Sequence, residues 1–250
     1  MDNRHEQTDA VPSETAPASS LAWLRGFVEA VRTPERMDAL RNANVWKIYI
    51  AGALLLAISY TVAAGIVWNT AALHAQMVAF MNLFPGTKGA MGSMDVAFPW
   101  PAALGSTLVQ TGLIGLGVQA CMMWLVQRVL MREPLRLLAV LGITSFAASI
   151  TAIGYVVTSV LQMTTGNVLM GLSAAPLLSI HDHPFLVTYL QKIDLFWLWQ
   201  YGVIGLSTAA FCNRNRRWGL LIAVVGIFIH AAFSGSLAYI GYQQTMSMVK

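Results

Sequence analysis

Charge is the scarcest commodity in this 250-residue sequence: Asp, Glu, Lys and Arg together make up 10% of it. Soluble domains carry about 25%. With 56% hydrophobic residues and a mean hydropathy of +0.60, a water-soluble fold of this size is excluded. Cysteine is nearly absent as well. Two residues, Cys121 and Cys212, cannot make a disulfide framework, and both lie in apolar surroundings where they act as small hydrophobes. Internal repeats, phosphate-binding motifs and HExxH-type metal spacings are missing too. The formal charge of +4 and pI near 9.3 are not a nucleic-acid signature, because of where the basic residues sit.

What the chain has instead is five long intervals without any charged residue: Ile48 to Thr87, Val96 to Gln127, Leu137 to His181, Leu195 to Asn213, and Trp218 to Val249. A spanning helix needs roughly 20 mostly apolar residues. The pattern predicts an all-α polytopic membrane protein with helices at about 47–68, 103–127, 137–162, 194–212 and 219–241. Membrane β-strands would show alternating segments of about ten residues, which this chain lacks.

Orientation follows from the distribution of Lys and Arg. Twelve of the fifteen fall on one side of a five-span topology: six from Arg4 to Lys47, then Arg128, Arg132 and Arg136, then Arg214, Arg216 and Arg217. Lys88, Lys192 and Lys250 occupy the other. The expectation is an N-terminus in the cytoplasm and a C-terminus outside it, in the periplasm of a bacterial inner membrane. The segments before the first span divide in two. Residues 1–20 read as a disordered cytoplasmic tail, and residues 21–45 as amphipathic helices, one with the stripe Leu21, Leu24, Val28 and Val31, the next started by Thr33-Pro34-Glu35. Interfacial placement and packing beneath the bundle both fit. Residues 46–250 form the transmembrane domain. Of the connections, those on the arginine side are short. The two on the other side, Asn69 to Pro101 and Met163 to Ile193, are long and rich in Met, Phe, Leu and Pro; Ala71 to Leu83 reads as a short helix within the first.

Candidate chemistry is sparse. His181-Asp182-His183 is the only compact set of metal-ligating types; a site there needs a third ligand such as His74 or Asp95, and a polar turn before Pro184 is the simpler reading, so no metal or other cofactor is expected. His230 lies within the last span, where an ionisable group is a functional candidate, yet it serves equally as an interhelical hydrogen-bonding group. Gln110, Gln119, Gln162 and Gln200 read as glue between helices. The glycines of Gly112-Leu113-Ile114-Gly115-Leu116-Gly117 permit close helix approach, as do Ser234 and Gly235 in the last span. Gly112, Gly115, Ser234 and Gly235 are therefore the candidate packing or partner positions. No Ser, His and acid set assembles into a nucleophilic centre, and the expectation is a protein without catalytic activity.

One stretch carries a resemblance. Tyr189-Leu190-Gln191-Lys192-Ile193-Asp194-Leu195-Phe196-Trp197-Leu198-Trp199, running on to Gly205-Leu206, resembles the Ile-Asp-Leu-Phe-x-x-Trp start of the fourth helix in the Yip (Ypt-interacting protein) domain family, in its bacterial branch. The proline-bearing lead-in Thr33-Pro34-Glu35-Arg36 and the five spans agree, over about residues 21–242. The long Met-rich first outer loop and His181-Asp182-His183 depart from the family pattern. The resemblance implies an accessory or scaffolding protein that meets membrane lipid and other subunits, such as the permease, ATPase or periplasmic adaptor of an ABC-type exporter. Eukaryotic relatives act with small GTPases in vesicle traffic. Asp194, Phe196 and Trp199 are then the family positions, and on physical grounds they are also an interfacial anchor: an acid at the positive end of a helix with tryptophan at headgroup depth. An independent channel or small-molecule carrier is the alternative function, and a metal-dependent membrane enzyme the third.

Overall fold

The computed structural model describes residues 33, 44–81, 97–131, 135–173, 177, 190 and 193–248, with side chains omitted for residues 80–81 and 234–248. The predicted tail and amphipathic helices, apart from Thr33 and Asn44–Val45, lie outside the described residues, and so do His181, Asp182 and His183. Six helices make up the described chain: α1 (Val45–Asn69), α2 (Ala71–Met81), α3 (Trp100–Leu130), α4 (Leu137–Thr165), α5 (Leu195–Phe211) and α6 (Arg216–Met248). No strand occurs among the described residues, only an isolated bridge between Ser173 and Asp194.

Four helices (α1, α3, α4 and the Arg216–Phe233 part of α6) are long and apolar enough to cross a membrane. The fifth expected span corresponds to α5, which is apolar but only 17 residues long. The helix ends follow local chemistry. Asn44 caps α1, its side chain accepting from the backbone N–H groups of Trp46 and Lys47. Pro101 stands in the first turn of α3, where its missing N–H costs nothing. Gly166 closes α4 in the left-handed conformation at φ 63°, which favours glycine.

Packing contacts fix the helix directions. A Cβ built on Gly52 of α1 would stand 2.6 Å from the Ser145 carbonyl oxygen of α4, and Gly142 faces Val45, so α1 and α4 run parallel. Gly112 of α3 abuts Ala53, while Gly65 of α1 lies against the Trp100 ring, which makes α3 antiparallel to α1. Gly154 of α4 meets Phe196 near the start of α5, and Gly205 of α5 meets Gly219 and Ala223 near the start of α6; both pairs are antiparallel. The five long helices therefore close a ring in the order α1, α4, α5, α6, α3. Lys47, Arg128, Arg136, Arg214, Arg216 and Arg217 all come to one end of it, hereafter the arginine end.

The principal core lies towards that end. Met123, Val126, Val140, Ile143, Ala147, Tyr201, Ile204 and Ile222 form one buried cluster across α3, α4, α5 and α6. A smaller one joins Ala53 and Leu56 of α1 to Leu116, Ala148 and Ala152. Nearer the other end, α3 is interrupted by a π-helical segment, Leu108–Gly115. That segment packs on α1, whereas Leu116–Leu130 packs on α4 and α6. The wider turn thus redirects the helix from one set of neighbours to another, and π segments frequently accompany functional sites.

Candidate functional site

Among the described residues, the far half of the ring is not filled. A cavity of about 1020 Å³ lies there, lined by all five long helices. That is at the upper end of the roughly 300–1,000 Å³ typical of small-molecule sites. α1, α4 and α5 contribute the half remote from the arginine end, with residues from Leu56 to Trp68, Thr151 to Gln162 and Asp194 to Gln200, while α3 and α6 contribute their middle turns, from Thr111 to Met122 and from His230 to Phe233. Ile114, Val118 and Phe233 line it and remain exposed, so the cavity is open rather than sealed.

Its floor is polar. Gln200 of α5 donates from Nε2 to Gln119 Oε1 of α3 at 3.1 Å, and the Thr151 hydroxyl of α4 donates to Gln200 Oε1. Gln119 and Gln200 are 7% and 3% exposed. They are the interhelical glue expected of them, tying three helices together at mid-depth, and they also face the cavity. Gln119 Nε2 is buried and makes no well-aligned hydrogen bond among the described residues, with the Tyr201 hydroxyl close enough to act as its partner. Beside this floor, the Tyr201 hydroxyl and His230 Nδ1 share a hydrogen bond. The Trp197 ring stands 4.6 Å from Tyr201 and 5.2 Å from His230, centroid to centroid. His230 is thus held by α5 as a structural group and at the same time lines the cavity.

The upper wall is aromatic. Tyr60 and Tyr155 meet edge to face at 5.2 Å, and Trp68 and Phe98 pack at 5.9 Å. Behind Trp68, His74 of α2 is buried with its ring 4.8 Å away and its Nδ1 unpartnered. A clamp that sequence reasoning missed holds this end together. Gln76 of α2 donates to the Gly166 carbonyl at 2.7 Å and accepts from the Val168 N–H at 3.0 Å, while Gln162 donates to the Val168 carbonyl at 2.7 Å. An amide in a short apolar helix, ninety residues from its partners, gives no local signal of that contact.

Asp194 stands at the rim. It caps α5, its Oδ1 accepting from the Trp197 N–H at 2.7 Å, as an acid at this helix start should. Burial pushes its carboxyl above the ordinary carboxylate range, opposed by the Trp197 and Phe196 backbone N–H groups that favour the ionised form. Phe196 seats on Gly154, where a Cβ would come within 2.8 Å of the ring. Trp199 points away, 47% exposed. The three anchor residues thus divide the work: a cap, an interhelical wedge and an outward-facing ring.

Of the glycine candidates, Gly112 is a true contact, its position 2.8 Å (Cβ) from the Ala53 carbonyl oxygen. Gly115 lines the cavity, and its only close neighbour is the Gln110 carbonyl of its own π segment. Ser234 and Gly235 fall within α6 where side-chain surroundings are not described. Among the described residues no group of three His, Cys, Asp or Glu assembles a metal site. Comparison with protein-family models, with curated proteins and with solved structures finds no match for this chain.

Proposed function

We propose that this chain is a five-span protein of the bacterial inner membrane that binds a small amphipathic molecule in the far half of its bundle, as a small-molecule carrier. The cavity carries the reading: apolar and aromatic walls above a floor of hydrogen-bonding amides is the arrangement that holds a largely apolar ligand and orients one polar group. Five crossings fit because α5, at about 25 Å, lies at the short limit of a spanning helix and runs antiparallel to both neighbours. The basic residues then favour a cytoplasmic arginine end and N-terminus, which puts the cavity in the periplasmic leaflet and the C-terminus in the periplasm. The test is occupancy. Full-length protein taken from its membrane into nanodiscs should retain a small molecule by native mass spectrometry. Ala64→Trp, which fills the cavity from α1, should lose it while staying folded. An identical ligand complement in both proteins contradicts the reading.

A second reading, a non-catalytic accessory subunit of an ABC-type export complex as the Yip resemblance implies, is favoured by the segment that carries the resemblance. Asp194 and Phe196 do structural work at the start of α5, and a cargo cavity suits a subunit that hands a molecule onward. Purification in mild detergent with crosslinking should then recover a permease, ATPase or adaptor. Recovery of the chain alone removes it.

A further inference from the structure

The charge balance of the cavity narrows what it can take. Among its described lining residues there is no Lys or Arg, and Asp194 is the one carboxylate. Among the described lining residues an anionic ligand would meet no Lys or Arg, only His230 already bonded to Tyr201, and a like charge at the rim. Six aromatic rings line the same space, Tyr60, Trp68, Phe98, Tyr155, Trp197 and Phe233, and aromatic faces attract desolvated cations. Among the described residues no cation is paired with Asp194, and its carboxylate is met by the backbone N–H groups of its own helix start. A carboxylate has about four acceptor positions, and the cap leaves some of them for a ligand.

A second, independent group asks for a ligand deeper in. Gln119 is 7% exposed, lines the cavity and has an Nε2 with no well-aligned acceptor among the described residues, the Tyr201 hydroxyl being its one neighbour of that kind there. Gln200, which holds Gln119, lies six residues along α5 from Asp194, so the floor is about 9 Å below the rim at helical rise.

On the reading that the cavity is a binding site, we propose that its ligand is a lipophilic organic cation: an ammonium group at Asp194 among the aromatic rings, an apolar body, and a hydrogen-bond acceptor reaching the Gln119 amide. A hydrated inorganic cation does not suit it, because the walls cannot replace a hydration shell. An anionic lipid headgroup does not suit it for want of a basic partner.

Asp194→Asn separates the charge from the cap, since asparagine caps a helix as well as aspartate does. The probe is a dansyl amide carrying a trimethylammonium group on an alkyl arm, set against its uncharged analogue with a tert-butyl group in that place. Binding is measured by fluorescence on the full chain in neutral-lipid nanodiscs, with empty nanodiscs subtracted. The wild-type protein should bind the cation at least tenfold more tightly than the analogue. Asp194→Asn and Asp194→Ser should both erase that preference and leave the affinity for the analogue unchanged, and Gln119→Met should weaken both probes alike. Equal binding of the two probes to wild-type protein, or a cation preference that survives both Asp194 variants, overturns the proposal and leaves the cavity a site for a neutral molecule. Failure of both probes to bind the wild-type protein overturns the cavity as their binding site and the proposal with it.

Discussion

The two halves of α4 are the clearest contrast in the molecule. From Val140 to Ala152 every residue is buried except Phe146 and Thr151; from Ile153 to Gln162 only Gly154 and Ser159 are. Both halves are equally apolar in sequence and belong to one unbroken helix. The difference comes from the neighbours. Towards the arginine end α4 is enclosed by α1, α5 and the lower part of α3, while in the far half the π segment has taken α3 away towards α1. Apolar composition therefore measures compatibility with the bilayer and says nothing about whether a helix face meets protein, lipid or a cavity. In lipid, helices are held by close approach and by hydrogen bonds rather than by the hydrophobic effect; here close approach acts in both halves, at Gly205 and at Gly65 and Gly154, and the far half adds the hydrogen bonds among Gln119, Thr151 and Gln200.

The sharpest way to break that contrast is at the α5–α6 contact. A Cβ at Gly205 would overlap the Gly219 carbonyl oxygen and stand 2.9 Å from Ala223 Cβ. The obstruction is largely backbone and cannot rotate away. Gly205→Leu should abolish a monodisperse peak in detergent size-exclusion chromatography, and Gly205→Ala should cost about 1–3 kcal/mol, read as a lowered thermal midpoint. Gly112→Leu, against the Ala53 backbone, belongs in the same class.

In the cavity half the expected losses are smaller, because the interaction is polar. Gln200→Leu removes the bridge between Thr151 and Gln119 and strands the buried Gln119 amide and the half-buried Thr151 hydroxyl. In water that costs roughly 1–3 kcal/mol, and in a membrane bundle about 0.6–1.7. The lower range should be observed, together with loss of any retained ligand. A stability loss as large as that of Gly205→Leu would mean that the polar floor, not the close-packed half, holds the bundle together.

Two glycine variants calibrate the small end. Gly226→Ala meets the Met123 thioether, with Sδ at 2.5 Å, and a methionine side chain adapts; the expected cost is under about 1 kcal/mol. Gly105→Ala faces nothing within 4 Å, and should be neutral or stabilise by up to about 1 kcal/mol through helix propensity. The same thermal assay orders all of them.

Much of the fold is legible in the amino-acid sequence, for a physical reason: a charge-free run of twenty residues has few places to go. The spans expected at about 47–68 and 137–162 correspond to the helices Val45–Asn69 and Leu137–Thr165, and Ala71–Met81 lies within the short helix expected over Ala71 to Leu83. The Asp194 cap is readable because capping is local. The glutamines are readable as interhelical groups but not as a cavity floor, since that requires knowing that Gln119, Thr151 and Gln200 share a depth on three helices. The π segment is invisible in periodicity, and the glycine run that overlaps its end suggests a packing face. Gly112 packs on Ala53, but Gly115 of the same run comes close only to the Gln110 carbonyl of its own segment. Gly205 and Gly219, the tightest approach to backbone among the described glycines, give no sequence signal because two isolated glycines fourteen residues apart carry no motif.

Cysteine accessibility along α4 tests the account most directly. In full-length protein with Cys121 and Cys212 replaced by alanine, single cysteines at Ser145 and Ala147 sample the closed half, and at Thr158 and Gln162 the cavity wall. With a small membrane-permeant maleimide in nanodiscs, Thr158→Cys and Gln162→Cys should react at least tenfold faster than Ser145→Cys and Ala147→Cys. Equal rates at all four positions would contradict a cavity confined to the half away from the arginines.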